Sequence, residues 1–291
     1  MARRNGITLR FAAALLAPLA GTGAGADSAL PTVYSLNLCT DQLAMLLAAP
    51  GQLQSVSELA TDPSLSVLHE QARQYPANRG LAEDVVAASP DLVVTGAWSA
   101  RNATDLLRGL GYRVETFAPD LTLDGIRADI ARMGKLMQRE QQADGLLADF
   151  DAQLAKAPDA ACPASFRPSL LVYGPNGVTE GAGTLPDTVI EAAGFRNLGA
   201  GPGTGGMAFV SLENVIAMQP DVILLPADDP AAPALAQKLF NHPALKASGA
   251  RIVRGAVDPA LWTCGGPFTA RAVTGLKQLR ASLPGCERPG S

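Results

Sequence analysis

Residues 122–157, TLDGIRADIARMGKLMQREQQADGLLADFDAQLAKA, decide how this chain is organised. Their apolar positions are Leu123, Ile126, Ile130, Met133, Met137, Ala143, Leu147, Phe150 and Leu154, and the stride breaks only where Glu140 stands. Steps of three and four place such residues on one face of a helix. Thr122 is a suitable N-cap with Asp124 in the first turn, and Lys156 and Pro158 mark the other end. At roughly 1.5 Å per residue this helix is about 50 Å long, more than one small domain needs. Strands alternate with helices on both sides of it, so it reads as a strut between two lobes. The alternative is a helix inside one domain, kinked near Gly134 or Gly145.

Residues 1–26 have the pattern of an export signal. Arg3, Arg4 and Arg10 make a basic start, 11–20 are apolar, and Ala24-Gly25-Ala26 form a small-residue cleavage site. The apolar run is too short to span a membrane. The mature chain is therefore expected to begin at Asp27, outside the cytoplasm, with no membrane span. Charged residues make up 17 % of the sequence and the formal net charge is −4, which with no local basic patch excludes a nucleic-acid partner.

The first lobe, 27–121, opens with a strand at 32–36 and the turn Asn37-Leu38-Cys39-Thr40, and a helix is expected from Asp41 to the Pro50-Gly51 stop. Strand-to-helix turns are where open α/β sheets present binding groups. A second strand is expected at 53–57, and 58–80 read as a polar loop long enough to be functional. Residues 81–95, LAEDVVAASPDLVVT, read as helix, Pro-Asp turn and buried strand, followed by Gly96-Ala97-Trp98-Ser99, a helix at 101–110 and a strand at 112–117.

The second lobe, 158–291, repeats this scheme. A strand at 169–173 leads to the turn Gly174-Pro175-Asn176-Gly177, a helix at 187–193 and a glycine-rich loop at 194–207. SLENVIAMQPDVILL at 211–225 then overlays 81–95 at a constant offset. Glu83 pairs with Glu213, Val85 with Val215, Ala87 with Ala217, and Pro90-Asp91 with Pro220-Asp221. Within a chain divided by a long helix, the repeat argues for two lobes of one architecture. A helical stretch at 231–247, a strand at 251–254, the turn Leu261-Trp262-Thr263-Cys264-Gly265-Gly266-Pro267 and a helix to about Leu283 complete the chain.

These parts together resemble the periplasmic binding proteins that deliver ferric siderophores, haem or vitamin B12 to ABC importers, and the resemblance covers nearly all of the mature chain. It implies two α/β lobes with mainly parallel central sheets, joined by one long rigid helix at 122–157, with the ligand in the cleft between them. It also implies a monomeric periplasmic protein without catalysis or a cofactor of its own, whose partners are a metal chelate and an ABC permease with its ATPase. In that family one glutamate on each lobe meets arginines of the permease, and the matching positions are the repeat partners Glu83 and Glu213.

The turns expected at the cleft supply Asn37, Cys39, Trp98, Arg101, Tyr173, Asn176, Trp262 and Cys264 as ligand contacts. Trp98 and Trp262, the two tryptophans, each follow a strand of a different lobe and suit a flat macrocycle or catecholate chelate, with Arg101 nearby. A ferric siderophore is expected ahead of cobalamin, with haem third. Cys162 precedes the first strand of the second lobe and Cys286 follows its last helix, so a bond between them would tie the chain end to the body. Cys39 and Cys264 fall in turns of opposite lobes, as free thiols, ligands of a bound metal, or a cross-cleft disulfide. The competing class is an exported α/β enzyme or a thiol redox protein using these two cysteines. Gly201-Pro202-Gly203-Thr204-Gly205-Gly206 satisfies G-x-G-x-x-G but lacks the strand before and helix after that a dinucleotide site needs. His69 and His242 are the only histidines, too few and too far apart for a dedicated metal site.

Overall fold

The computed structural model describes residues 1, 29–119, 121–156, 162–201, 205–227 and 239–286. The expected export signal and its cleavage site lie outside the described residues, Met1 apart, as do 202–204 of the glycine-rich loop and 231–238 of the expected helical stretch.

In chain order the first lobe comprises β1 (Val33–Ser35), α1 (Leu38–Leu47), β2 (Leu53–Ser57), α2 (His69–Ala72), β3 (Ala77–Asn78), α3 (Ala82–Ala88), β4 (Leu92–Gly96), α4 (Arg101–Gly109) and β5 (Val114–Phe117). Then come α5 (Leu123–Met137) and α6 (Glu140–Ala155). The second lobe holds β6 (Ser169–Val172), β7 (Val178–Glu180), α7 (Leu185–Ala192), β8 (Arg196–Asn197), β9 (Met207–Phe209), α8 (Leu212–Met218) and β10 (Val222–Leu225). It ends with α9 (Pro243–Ala247), β11 (Arg251–Arg254), α10 (Ala260–Thr263) and α11 (Thr269–Ala281). The first sheet is parallel in the order β3-β2-β1-β4-β5 and the second is parallel in the order β11-β10-β6-β8, while β7 and β9 form a separate antiparallel pair.

Both parallel sheets are covered on both faces, and the sequence alternation shows how. Val33, Leu92, Val94, Leu170, Val222 and Leu224 point into one core shared by both lobes, together with Ile126, Ile130, Met133, Met137 and Phe150 of the helices between them. Their strand neighbours Tyr34 and Val93 pack outward with Val85 and Leu107 under α3 and α4. In the second lobe Leu171, Ile223 and Leu225 do the same under α8 and α9. Period-two side-chain alternation in strands buried on both faces produces this division. Because one apolar cluster runs through both lobes, they are packed as one body rather than tethered.

The repeat is present in three dimensions. Ser89 and Gln219 close α3 and α8 with the same left-handed backbone, φ 48° and 47°. Asp91 accepts hydrogen bonds from the N–H and hydroxyl of Thr32 at 2.8 and 2.7 Å. Asp221 accepts from the N–H and hydroxyl of Ser169 at 2.7 and 2.6 Å. Each aspartate thus anchors the strand that follows its Pro-Asp turn to the lobe's first strand.

The single helix expected over 122–157 is instead a hairpin. Thr122 does cap the start, accepting from Gly125 N–H at 2.9 Å, but α5 stops at Gln138, whose φ is 56°. The N–H of Arg139 returns to the carbonyl of Gly134 at 2.7 Å, which satisfies an end carbonyl in the manner of a glycine-type helix stop. α6 then runs back along α5, and Arg127 and Asp151 meet at 2.8 Å across the pair. Close packing explains the turn: a methyl group added at Gly134 would overlap the Cβ of Ala143. Gln52 binds the carbonyl of Met137 at 2.7 Å and Arg139 binds that of Leu47 at 2.9 Å, so the closed end docks on the first lobe. Thr188 binds the carbonyl of Leu121 at 2.6 Å and Lys277 that of Leu154 at 3.2 Å, so the open end docks on the second.

Further boundaries differ from expectation, and the turn expected from Leu261 opens instead with helix α10 (Ala260–Thr263). α1 begins at Leu38 rather than Asp41 because Asn37 caps it, its side chain accepting from Cys39 N–H. The loop at 58–80 carries α2 and the edge strand β3, and the glycine-rich loop carries β8. No helix among the described residues is long and apolar enough to cross a membrane.

Candidate functional site

The carboxyl ends of β1, β4 and β5 open onto a cavity of about 510 Å³ between the lobes. Parallel α/β sheets place ligand-binding groups at these ends because the strand-to-helix turns gather there. A cavity this size falls within the range for small-molecule sites.

On the first lobe the wall begins with Asn37. Its side chain accepts from Cys39 N–H at 2.9 Å and donates to Ser99 Oγ at 2.8 Å, joining the turns after β1 and β4. Gly96 permits that bond, since a Cβ there would lie 3.0 Å from both Asn37 Nδ2 and Ser99 Oγ. Trp98 stands on the rim and is 70 % exposed. Phe117 lies deeper and is buried, with the Arg132 guanidinium 4.3 Å from its ring centre.

Opposite, the second lobe supplies Pro186, Trp262 and Glu180, and α5 contributes Asp129. Trp262 is half-buried, with one side against the shared core. Burial raises the Glu180 carboxyl above its ordinary range, partly offset by the Thr184 hydroxyl.

Cys39 and Cys264 do line the cavity, as a disulfide that joins the two lobes with their Cα atoms 5.2 Å apart. The expectation of free cleft thiols or of metal-ligating cysteines is thereby corrected: helix α1 and the turn after α10 bring the two side chains into bonding range. Cys162 and Cys286 form the second disulfide, which ties the end of the last helix to the start of the second lobe. Among the described residues there is no group of three His, Cys, Asp or Glu side chains placed to hold a metal ion.

Beneath the Asn37 turn lies a buried polar cluster. Asp41, fully buried, accepts from the N–H of Ser57 at 3.0 Å and from its hydroxyl at 2.5 Å. Burial pushes its carboxyl up to about 7, against the lowering effect of Ser35 and Ser57. Ser35 and Thr40 share a hydrogen bond of 2.8 Å, and Asn78 donates to Ser35 O and Ser55 Oγ at 2.8 and 2.9 Å. This cluster holds the first turn of α1, and hence Asn37 and Cys39, in place.

Of the expected contacts, Asn37, Cys39, Trp98, Trp262 and Cys264 meet in the cavity, and three do not line it. Tyr173 is fully buried with its ring edge-on to Phe240, centres 6.2 Å apart, on the outer face of the second sheet. Asn176 is exposed in a tight turn at φ 58°. Arg101 lies in an adjoining groove on the first lobe with Leu81, Glu83 and Leu106. Sequence reasoning missed Phe117, Asp129 and Glu180. Phe117 ends a strand that was identified, and its position was the available signal; the other two sit in a helix and a hairpin whose facing side could not be read. Glu83 and Glu213 are exposed in the first turns of α3 and α8. Hydrogen bonds from its own N–H and from Ser211 hold the Glu213 carboxyl below its ordinary range.

The periplasmic binding protein family model matches residues 33–251. A cobalamin-binding protein of Halobacterium salinarum (strain ATCC 29341 / DSM 671 / R1) is 27 % identical over 201 residues, covering 68 % of this chain and 54 % of that protein. The chain thus spans about half the length of the curated relative it matches. Among solved structures, the haem-binding protein RhuT from Roseiflexus sp. RS-1 in apo form superposes with a TM-score of 0.66 and 24 % identity, covering 87 % of this chain and 98 % of that one. The vitamin B12 binding protein BtuF of Vibrio cholerae gives 0.65 and 20 % over 87 % and 99 %. At these identities the structures show a common fold.

Proposed function

The chain belongs to the periplasmic binding protein family, and on that premise we propose that it is the extracytoplasmic solute-binding component of an ABC importer. It captures a metal chelate between its lobes and presents it to the permease. The carrying observation is the cavity itself, walled by one tryptophan from each lobe and floored by Phe117. Such a surface stacks on a flat or apolar chelate and gives a bare inorganic anion little to bind. The relative named for cobalamin moves a corrinoid ahead of the ferric siderophore favoured by the sequence, with haem third. Family members and solved neighbours are binding proteins rather than enzymes, which leaves the exported-enzyme and thiol-redox readings without support.

The paired Glu83 and Glu213, exposed at matching places on the two lobes, are the proposed contacts with permease arginines. Exposed charges of this kind govern docking more than ligand affinity. The experiment is uptake into vesicles carrying the cognate permease and ATPase, alongside equilibrium binding of cyanocobalamin or ferrichrome, whichever the wild type binds. Glu83→Ala with Glu213→Ala should leave binding unchanged and reduce uptake. Loss of chelate binding with uptake undiminished at saturation contradicts this assignment.

A further inference from the structure

Among the described residues lining the cavity there is no histidine, tyrosine or methionine, and its two cysteines are bonded to each other. The adjoining grooves that share Trp98 or Gly96 with it add none of these side chains. All 2 histidines, 4 tyrosines, 6 methionines and 4 cysteines of the sequence fall among the described residues, so each can be placed. His69 lies in α2 with its ring 3.0 Å from Ser66 O, and the ring of His242 caps α9. Tyr34 and Tyr112 pack beneath α3 and α4, Tyr75 packs against the shared core, and Tyr173 is buried against Phe240. Met45, Met133 and Met137 are buried in that core, and Met218 ends α8. Met207 stands opposite Glu180 across the β7–β9 pair, 73 % exposed and outside the cavity lining. The carboxyls in the lining are Glu180 and Asp129, and burial raises Glu180 towards its neutral form.

From this donor set we infer that the cleft takes a chelate whose metal is already coordinatively complete, and holds it by its organic shell with no bond from protein to metal. The inference rests on the chelate-binding reading above and names the class of chelate. Imidazole, thiolate, thioether and phenolate are the protein groups that complete an open site on iron or cobalt. A haem leaves its axial positions open, and proteins fill them with His, Cys, Met or Tyr. None of these reaches this cavity in a form that can bond a metal. A ferric ion caged by a hexadentate siderophore, or a cobalamin carrying both axial ligands, needs no such donor. What the walls do offer is contact with the organic surface: Trp98, Phe117 and Trp262 for stacking, Leu43, Leu185 and Pro186 for apolar packing.

The test is equilibrium binding to the full chain with its disulfides intact, read by tryptophan fluorescence, together with visible spectra of the bound probe. The probes are ferrichrome, its substitution-inert chromium(III) analogue, aquacobalamin, haemin and iron-free protoporphyrin. Whichever of ferrichrome and aquacobalamin binds should do so without a protein donor. The iron and chromium forms of ferrichrome should then agree within about twofold in affinity, and bound aquacobalamin should keep the bands of its water ligand. Haemin should bind no tighter than protoporphyrin, with no Soret shift that reports an axial donor. Met207→Leu should change none of these results. Bands reporting a protein nitrogen, sulfur or oxygen on cobalt or iron overturn the inference and leave chelate capture standing. So does a greater loss of affinity with chromium, or haemin bound more tightly than protoporphyrin or as the sole metal chelate bound. Failure of ferrichrome, aquacobalamin and haemin alike to bind overturns chelate capture and the inference together.

Discussion

Asp41 shows how a single residue links the site to the fold. It sits in the first turn of α1, below Asn37 and Cys39, and burial pushes its carboxyl from 3.8 up to about 7. The native state therefore holds this proton more tightly than the unfolded chain does. Its contribution to stability is complete below pH 3.8 and is lost as pH rises through about 7. Urea unfolding across that interval should show stability falling with pH by up to a few kcal/mol from this group, and Asp41→Asn should remove that part of the slope. Parallel profiles for the two proteins would show that Asp41 is ionised in the fold. At this scale the sequence reveals turns better than side-chain directions. Asn37 and Trp98 were legible because each lies in a turn after a strand, and Trp262 because it follows β11, although the structure sets it in the short helix α10 rather than in a turn. Tyr173 also follows a strand, but alternation places it with Leu171 on the outer face, against Phe240. That partner arrives from a distant segment, which no local pattern reveals.

Among the elements, the α5–α6 hairpin separates what periodicity can tell from what it cannot. Ile126, Ile130, Met133, Met137, Ala143 and Phe150 are all buried, as their spacing predicts. The long step from Met137 to Ala143, across Glu140, was the sign of the turn, and an unbroken helix does not account for it. Two glycines give opposite expectations. Gly145 has nothing within 4 Å of an added Cβ, so Gly145→Ala should stabilise by about 0.5 to 1 kcal/mol through helix propensity. Gly134→Ala gains the same propensity but overlaps Ala143, and overpacking should win with a net loss of about 1 to 3 kcal/mol. Thermal unfolding of both variants is the check, and equal stabilisation would mean that the helices are not packed at Gly134. The repeated helix-strand units were legible down to their Pro-Asp turns because the aspartate in each has a fixed structural task. The strands at 77–78 and 196–197 were not, being only two residues long.

For the whole molecule, the two-lobe α/β plan was legible from the repeat and the intervening helical stretch, whereas the covalent link between lobes was one of several open possibilities. Cys39 and Cys264 lie 225 residues apart in sequence, and only the packing of α1 against the turn after α10 brings them together. Non-reducing peptide mapping should recover Cys39–Cys264 and Cys162–Cys286 and no other pair. In the chain-entropy model the cross-lobe bond contributes on the order of 5 kcal/mol, so Cys39→Ser with Cys264→Ser should lower the melting temperature markedly. Because the bond limits how far the lobes separate, and the shared core packs them together, ligand capture should require little domain closure. Matching small-angle scattering profiles with and without chelate would agree with this, and a large contraction in the oxidised protein would not. The central claim is that a metal chelate is held in the cleft between Trp98 and Trp262. Native mass spectrometry of the protein recovered from its own cells, grown with the chelates of their natural medium, tests it most directly. The account predicts a non-covalent adduct with a metal isotope pattern in the wild type, largely lost from Trp98→Ala with Trp262→Ala. An adduct without metal, or one retained in full by that double variant, would contradict it.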